Sequence, residues 1–292
     1  MSDTNIVKKA VILVAGFGTR FLPVTKAQPK EMLPLVDKPV IQYLVEEVVA
    51  SGINEVIFVT GRGKRAIEDH FDYAAELEHF LEKRGKKDLA EEIRKIASLA
   101  HFTFVRQKEP LGTGDALLLV RHLVRDEPVA VLYGDDVVIS QKPCLQQLID
   151  SYMLYKNPVL ALERVPKKEV SRYGVVGGEK VAPRTYKIDC LVEKPSVAQA
   201  PSNLIRIGKY IFTPEIFDIL ATVKRPKKGE FYDIFGLQEY VQRGGKLYGY
   251  EYEGTRYDCG EKLGYLKAII KAGLSHPEVG NAFRKHIRGL EI

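Results

Sequence analysis

The stretch 11–34 constrains this chain more than any other. A short apolar run at 10–14, long enough for one buried strand, ends in Ala15-Gly16-Phe17-Gly18-Thr19-Arg20. Glycines at the carboxyl end of a buried strand let the backbone turn tightly and bring its N–H groups against an anionic ligand. Arg20 and Lys30 add two cations where such a ligand would lie. Pro23, Pro29 and Pro34 prevent a regular helix from following at once, so the loop stays irregular through to Pro39. Strand, glycine loop and convergent positive charge make a triphosphate-handling site; an ordinary turn with two solvated bases is the competing reading of the glycines alone. Two better-known glycine loops are excluded. A Walker loop needs Gly-Lys-Ser/Thr opening a helix, and here Gly18 is followed by Thr19-Arg20. A dinucleotide fingerprint needs a third glycine at the helix start, and that glycine is missing.

The chain has 292 residues, enough to bury a sizeable core in one large α/β domain. No apolar run reaches the ~20 residues of a membrane span, and the opening MSDTNIVKKA lacks a secretory apolar region. Cys144, Cys190 and Cys259 are widely spaced and form no C-x-x-C, which favours reduced thiols in a cytosol. A net charge of +6 fits an acidic partner. There is no long basic run with interleaved aromatics, which favours nucleotide and sugar phosphates over nucleic acid.

Taken in order, the stripe Val40, Ile41, Leu44, Val45, Val48 and Val49 predicts a helix over 39–51, stopped by Gly52. Residues 55–60 read as a second buried strand, so the chain begins as strand, loop, helix, strand, the start of a parallel sheet. A second helix is expected within 61–71. Residues 74–100 read as a charged helical insertion packed on the sheet, broken near Gly85, with Leu89, Ile93 and Ile96 facing inward. The strand at 102–106 runs into Gln107, followed by Gly112, Gly114 and a helix at 115–124. A carboxamide beside glycines suits a pyrimidine: its donor and acceptor can face the N3–H and O4 of uracil. The strand at 128–133 ends in Gly134-Asp135-Asp136. Carboxylates there lie where α/β sheets bind ligands, and Mg²⁺ takes one or two carboxylates plus phosphate oxygens. The alternative is an Asp pair capping the next helix.

A helix at 145–155 and a strand at 159–165 lead into short strands at 173–177, 187–193, 203–212 and 246–252. These read as a mixed sheet with antiparallel additions that cover the open side of the nucleotide site. Ser171-Arg172-Tyr173-Gly174-Val175 offers a glycine backbone to a sugar ring. Val192-Glu193-Lys194-Pro195 supplies a carboxylate for sugar hydroxyls and an ammonium for the sugar phosphate, or else a solvated strand end. Arg256-Tyr257-Asp258-Cys259-Gly260 puts Asp258 at a turn before a helix at 261–272, with capping and metal binding equally open. His70, His79, His101, His122, His276 and His286 lie outside these motifs and read as surface or packing residues.

The pattern G-x-G-T-R followed by P-K-E-M-L-P resembles the signature of nucleotidyltransferases that join a sugar 1-phosphate to a nucleoside triphosphate. With the motifs at 171–175, 192–195, 257–260 and 262–267, the chain resembles the bacterial UTP–glucose-1-phosphate uridylyltransferases from about 9 to 272. That resemblance implies a Rossmann-like α/β nucleotidyltransferase fold. Its central sheet would be mixed and mostly parallel, flanked by helices, with antiparallel additions on the sugar side. It implies one domain over 1–292: a nucleotide-binding half at about 9–140, a sugar-binding half at about 141–272 and a helical tail at 273–292. The implied enzyme is cytoplasmic, a homodimer or homotetramer, and makes UDP-glucose and pyrophosphate from UTP and glucose 1-phosphate with Mg²⁺. Neither nucleic acid nor a membrane is an expected partner. Gly16 and Gln107 would hold the uracil, with Ala15, Gly18 and Gly112 beside the nucleotide. Arg20 and Lys30 would meet the triphosphate, and Lys26 would lie near the phosphates. Asp135 would bind Mg²⁺, together with Asp258. Gly174 and Glu193 would hold glucose and Lys194 its phosphate. Two segments depart from the family pattern: Asp115 stands where a His is more usual, and Tyr133-Gly134 precedes Asp135-Asp136 where Leu-Pro is more usual.

The implied chemistry is a single in-line displacement, in which a sugar-phosphate oxygen attacks the α-phosphorus and pyrophosphate leaves. Catalysis would then rest on positioning and charge neutralisation by Arg20, Lys30, Lys194 and Mg²⁺. A glucose-1-phosphate thymidylyltransferase is the nearest rival, because thymine presents the same hydrogen-bonding edge as uracil. A catalytically inactive sugar-nucleotide-binding regulator is another, and the joint presence of Arg20, Lys30 and Asp135 argues against it.

Overall fold

The computed structural model describes residues 7–290. The first half of the chain is built around β1 (Lys9–Leu13). Its Ala10 and Ile12 join the core on the side of α1 (Val40–Ala50), while Val11 joins the core on the opposite face. Burial on both faces explains why the strand is a continuous apolar run. Between β1 and α1 the prolines act as expected. The chain makes 3₁₀ turns at Thr19–Phe21, Val24–Lys26 and Lys30–Met32, then a short hairpin of β2 (Pro34–Leu35) and β3 (Lys38–Pro39). α1 buries Val40, Ile41, Leu44, Val45 and Val48. β4 (Glu55–Thr60) pairs in parallel with β1, and α2 (Arg65–Phe71) follows.

The insertion is two helices, α3 (Ala75–Lys83) and α4 (Lys87–Ala97), broken at Gly85 with φ +75°. They pack on each other, and Ile96 reaches the core. The inward stripe is corrected at one position: Leu89 is exposed and the neighbouring Ala90 is buried. The hairpin turns its smaller side chain inward, where two helices approach closely. β5 (His101–Arg106) forms one edge of the sheet, paired in parallel with β4. α5 (Thr113–Val120) and β6 (Val129–Tyr133) follow, and β6 pairs in parallel with β1 on its other side. Residues 136–139, which the sequence reading did not assign, form β7 (Asp136–Ile139).

The second half comprises α6 (Cys144–Tyr155), β8 (Val159–Arg164), β9 (Gly174–Ala182), β10 (Thr185–Glu193), β11 (Leu204–Phe212), α7 (Pro214–Thr222), α8 (Ile234–Gln242), β12 (Leu247–Glu251), β13 (Thr255–Asp258), α9 (Lys262–Ser275) and α10 (Gly280–Arg288). Among the described residues, the 9-stranded main sheet runs β5-β4-β1-β6-β11-β8-β12-β10-β9. β9 also pairs with β11 at Val175 and Val176, so the second half curls back on itself. The expectation of a mostly parallel sheet holds for β5-β4-β1-β6, and beyond them only β12 with β8 pairs in parallel among the described residues. β11 pairs antiparallel with β6, β8 and β9, and β10 pairs antiparallel with β12 and β9. Of these pairs, β9 and β10 are joined by a short turn, which permits antiparallel pairing alone, whereas parallel pairing needs a long crossover. A separate ribbon, β7 with β13, lies beside the carboxyl end of β6. No helix among the described residues is long and apolar enough to cross a membrane. The opening stretch read for a targeting signal and the end of the tail lie partly outside the described residues.

Candidate active site

Two cavities flank the turn that follows β6. The first, of about 350 Å³, is lined by Ala15, Gly16, Phe17, Gly18 and Thr19 of the glycine loop and by Lys30, Glu31, Gln107, Gly112, Thr113, Tyr133 and Asp135. Gly18 sits at φ +66°, and a methyl group there would crowd Lys30 Cβ at 3.1 Å, so glycine is required. Gly16 opens onto free space. Gln107 is not a surface residue: it is buried, and its Nε2 donates to Gly112 O at 3.2 Å and Asp115 Oδ2 at 2.9 Å. Asp115, the departure from the family pattern, therefore fixes the amide. Its other oxygen pairs with Arg225 at 2.8 Å.

Lys30 and Asp135 meet in this cavity as a direct ion pair. Burial alone would depress the Lys30 ammonium, but the charges of Asp135 and Glu31 more than offset it and its pKa is raised. Burial would likewise raise the Asp135 carboxyl, and the Lys30 charge outweighs that, holding it below its usual value. Beneath them Lys64 Nζ donates to the fully buried Glu31 Oε2 at 2.7 Å. Lys26 ends an exposed 3₁₀ turn and lines neither cavity.

The Asp135-Asp136 pair divides its work. Asp136 is buried, its Oδ2 accepts the Gly208 N–H at 2.7 Å and its Oδ1 accepts Arg256 Nε at 2.6 Å, so it is a structural anchor. No helix follows for the pair to cap; the next element is β7. Asp258 ends β13 and does not cap α9, which has no side-chain cap. Burial, then the nearby Asp136 charge, pushes the Asp258 carboxyl up to about 6. A methyl group built on Gly260 would collide with Asp135 Oδ2 and lie 3.1 Å from Asp258 Oδ1, so the two carboxylates converge over that glycine.

The second cavity, of about 370 Å³, is lined by Arg20, Tyr133, Asp136, Arg172, Tyr173, Gly174, Glu193, Lys194, Arg206, Arg256, Asp258 and Glu261, among others. Arg20 thus does not converge with Lys30. The 3₁₀ turn Thr19–Phe21 carries it to this side, where its Nε lies 3.2 Å from the Glu261 carboxylate. Glu193 ends β10 and Lys194 follows it, its N–H donating to Tyr173 O at 3.0 Å. Lys194 has φ +44°, an uncommon conformation for a residue with a side chain. Gly174 stands close under Glu193: a methyl there would lie 3.0 Å from Glu193 Oε2.

Several wall residues escaped the sequence reading. Arg256, largely buried, reaches Asp136, Asp258 and Glu163. It lies in a motif already singled out, and strand alternation places it on the same face as Asp258. Arg206 and Asp233 form a buried ion pair at 2.7 Å. The available signal was an arginine inside the largely apolar run of β11, since buried charges are almost always paired. None of the six histidines lines either cavity.

Residues 9–273 match the family model for nucleotidyl transferases. The chain is 48% identical over 273 residues to UTP–glucose-1-phosphate uridylyltransferase YngB of Bacillus subtilis (strain 168), covering 94% of this chain and 92% of that protein. It is similar to a solved UDP-glucose pyrophosphorylase complexed with UDP-glucose at a TM-score of 0.82 and 41% identity, covering 96% of this chain and 99% of that one. A UTP-bound UGPase from Acinetobacter baumannii matches with a TM-score of 0.91 and 37% identity, covering 98% of this chain and 100% of that one. The chain belongs to the nucleotidyltransferase family, among its UTP–glucose-1-phosphate uridylyltransferases.

Proposed function

We propose that the two cavities take UTP and glucose 1-phosphate and that the chain joins them into UDP-glucose, releasing pyrophosphate. The observation that carries this is the placement of the cavities on either side of Tyr133 and the Asp135-Asp136 turn, one with the glycine loop and Gln107, the other with Gly174, Glu193 and Lys194. Both hydrogen bonds that the Gln107 side chain donates come from Nε2. Its Oε1 is then the acceptor available to the N3–H of uracil. Loop N–H groups from Ala15 to Thr19 and the Lys30 ammonium would face the phosphates. Glu193 would accept from sugar hydroxyls, while Lys194 and Arg20 on the same side would draw the sugar phosphate toward the α-phosphorus.

Asp135 and Asp258 fit Mg²⁺: both offer hard oxygen ligands, and they converge where Gly260 leaves space. Bound there, Mg²⁺ would neutralise phosphate charge. The protein's own part is positioning and electrostatics. A sugar phosphate, with a second pKa of about 6, needs no base to remove a proton before attack.

Pyrophosphate release measured over a panel of UTP, dTTP, glucose 1-phosphate and galactose 1-phosphate tests the reading. The highest kcat/KM is expected for UTP with glucose 1-phosphate. Equal or better use of dTTP would turn the assignment to a thymidylyltransferase, and sugar-nucleotide binding without any turnover would make the chain a regulator. Association into a dimer or tetramer is supported by the exposed stripe Leu263, Leu266 and Ile270, spaced to share one face of α9. A cytoplasmic location is supported by three free cysteines, two of them buried.

A further inference from the structure

β11 carries two buried cations, Arg206 and Lys209. Lys209 has a structural partner, Glu47, at 2.7 Å, whose other oxygen accepts the Leu145 N–H at 2.9 Å. Arg206 differs in reaching the wall of the second cavity. Its Nη1 donates to Tyr210 Oη and to Asp233 Oδ2, each at 2.7 Å. Asp233 is itself held by Thr113 Oγ1 at 2.7 Å and Tyr133 Oη at 2.8 Å, so the guanidinium is clamped from behind. Toward the cavity, Arg206 Nη2 lies 3.5 Å from Glu193 Oε2. Glu193 Oε2 and Arg206 Nε are both buried and lack a hydrogen-bond partner among the described residues. Gly174 makes this approach possible, because a methyl group there would lie 2.7 Å from Arg206 Nε and 3.0 Å from Glu193 Oε2.

We propose that Arg206 is a positioning residue for the sugar: clamped by Asp233 and Tyr210, it holds Glu193 so that Oε1 is presented to sugar hydroxyls and Oε2 is held back. The inference rests on reading the second cavity as the sugar-phosphate site. A free glutamate side chain loses rotamer freedom when it captures a ligand, and a fixed guanidinium beside it removes part of that cost in advance. The loose 3.5 Å spacing is what a pair looks like before a ligand draws it tight.

The test is steady-state kinetics on the Arg206→Leu/Asp233→Leu double variant, which removes both buried charges together and so leaves neither unpaired. The KM for glucose 1-phosphate is expected to rise about tenfold or more, the loss of a hydrogen bond to a charged group, while the KM for UTP stays within about twofold. In a Glu193→Ala background the double change should add no further loss, because the residue through which Arg206 acts is gone. Arg206→Lys, which keeps the charge against Asp233 but lacks the planar fork, should weaken glucose 1-phosphate to an intermediate degree. If circular dichroism finds the double variant unfolded, Arg206→Lys alone and with Glu193→Ala makes the same comparison. An unchanged KM for glucose 1-phosphate, an equal rise for both substrates, or full additivity with Glu193→Ala would overturn the inference. A parent protein that does not use glucose 1-phosphate at all would fail the functional reading first and take this inference with it.

Discussion

Lys30 and Asp135 lie 105 residues apart and meet in a direct contact, a cation seated on the carboxylate we propose for the metal. Asp135→Asn keeps the shape and removes the charge. We expect it to lower kcat by roughly a hundredfold or more, since loss of a key charge stabiliser costs ~3 kcal/mol. Pyrophosphate release by a variant with an unaltered thermal melt checks this, and near-normal turnover would move the role to Asp258. Lys194 makes a different kind of prediction. Its φ of +44° is strained for any residue with a Cβ. Lys194→Gly should therefore stabilise the fold by about 1 kcal/mol in urea denaturation. The same variant should use glucose 1-phosphate much less well while binding UTP normally. A variant both less stable and unchanged in sugar-phosphate use would remove Lys194 from the site.

At the scale of elements, the loop before α5 and the segment before α8 are locked together. Gly114 N donates to Phe231 O at 2.8 Å, and Phe231 N donates to Leu111 O at 2.7 Å. Gly112, at φ +107°, would put a methyl group 2.5 Å from Phe231 O. Gly112→Ala should accordingly cost roughly 2–3 kcal/mol of stability through backbone strain and overpacking. It should also raise the KM for UTP, because Gly112 O is one of the two acceptors that orient Gln107. A wild-type melt and an unchanged KM would show that the loop does not hold the amide. Elements with strong apolar periodicity were legible in the sequence: α1, β4, β6, α6 and β8 fall close to their expected limits. α7 and α8, nine residues each, were not assigned. Neither helix is long enough for its pattern to stand out; both are stabilised by packing on α5 and on each other, and α8 also by packing on β10. The ribbon of β7 and β13 was missed because its two strands of four residues each are defined only by their pairing.

For the molecule as a whole, the six histidines and the two cavities occupy separate regions. His122 stands beside Arg121 and Phe217, His101 is on the edge strand, and His70 contacts Gln42 Oε1 at 3.0 Å. No histidine is then expected to shape the pH profile: turnover should decline as pH falls through about 6, where the substrate's second phosphate pKa and the raised Asp258 carboxyl both lie. Each histidine substitution should leave kcat within about tenfold of the parent. Loss of turnover in one such variant, with fold and both substrate affinities intact, would show that a side-chain base exists. The sequence by itself determined the features that depend on near neighbours: the glycine turn after β1, the proline-broken loop, the apolar strands, and which residue types stand at the strand ends. Only the tertiary structure decided their partners. It set Lys30 against Asp135, gave Asp136 to Gly208 and Arg256, turned Arg20 toward Glu261, and buried Arg206 between Asp233 and Glu193. Such pairings join residues far apart in the chain, and the energy of burying a charge depends on which opposite charge the fold brings beside it.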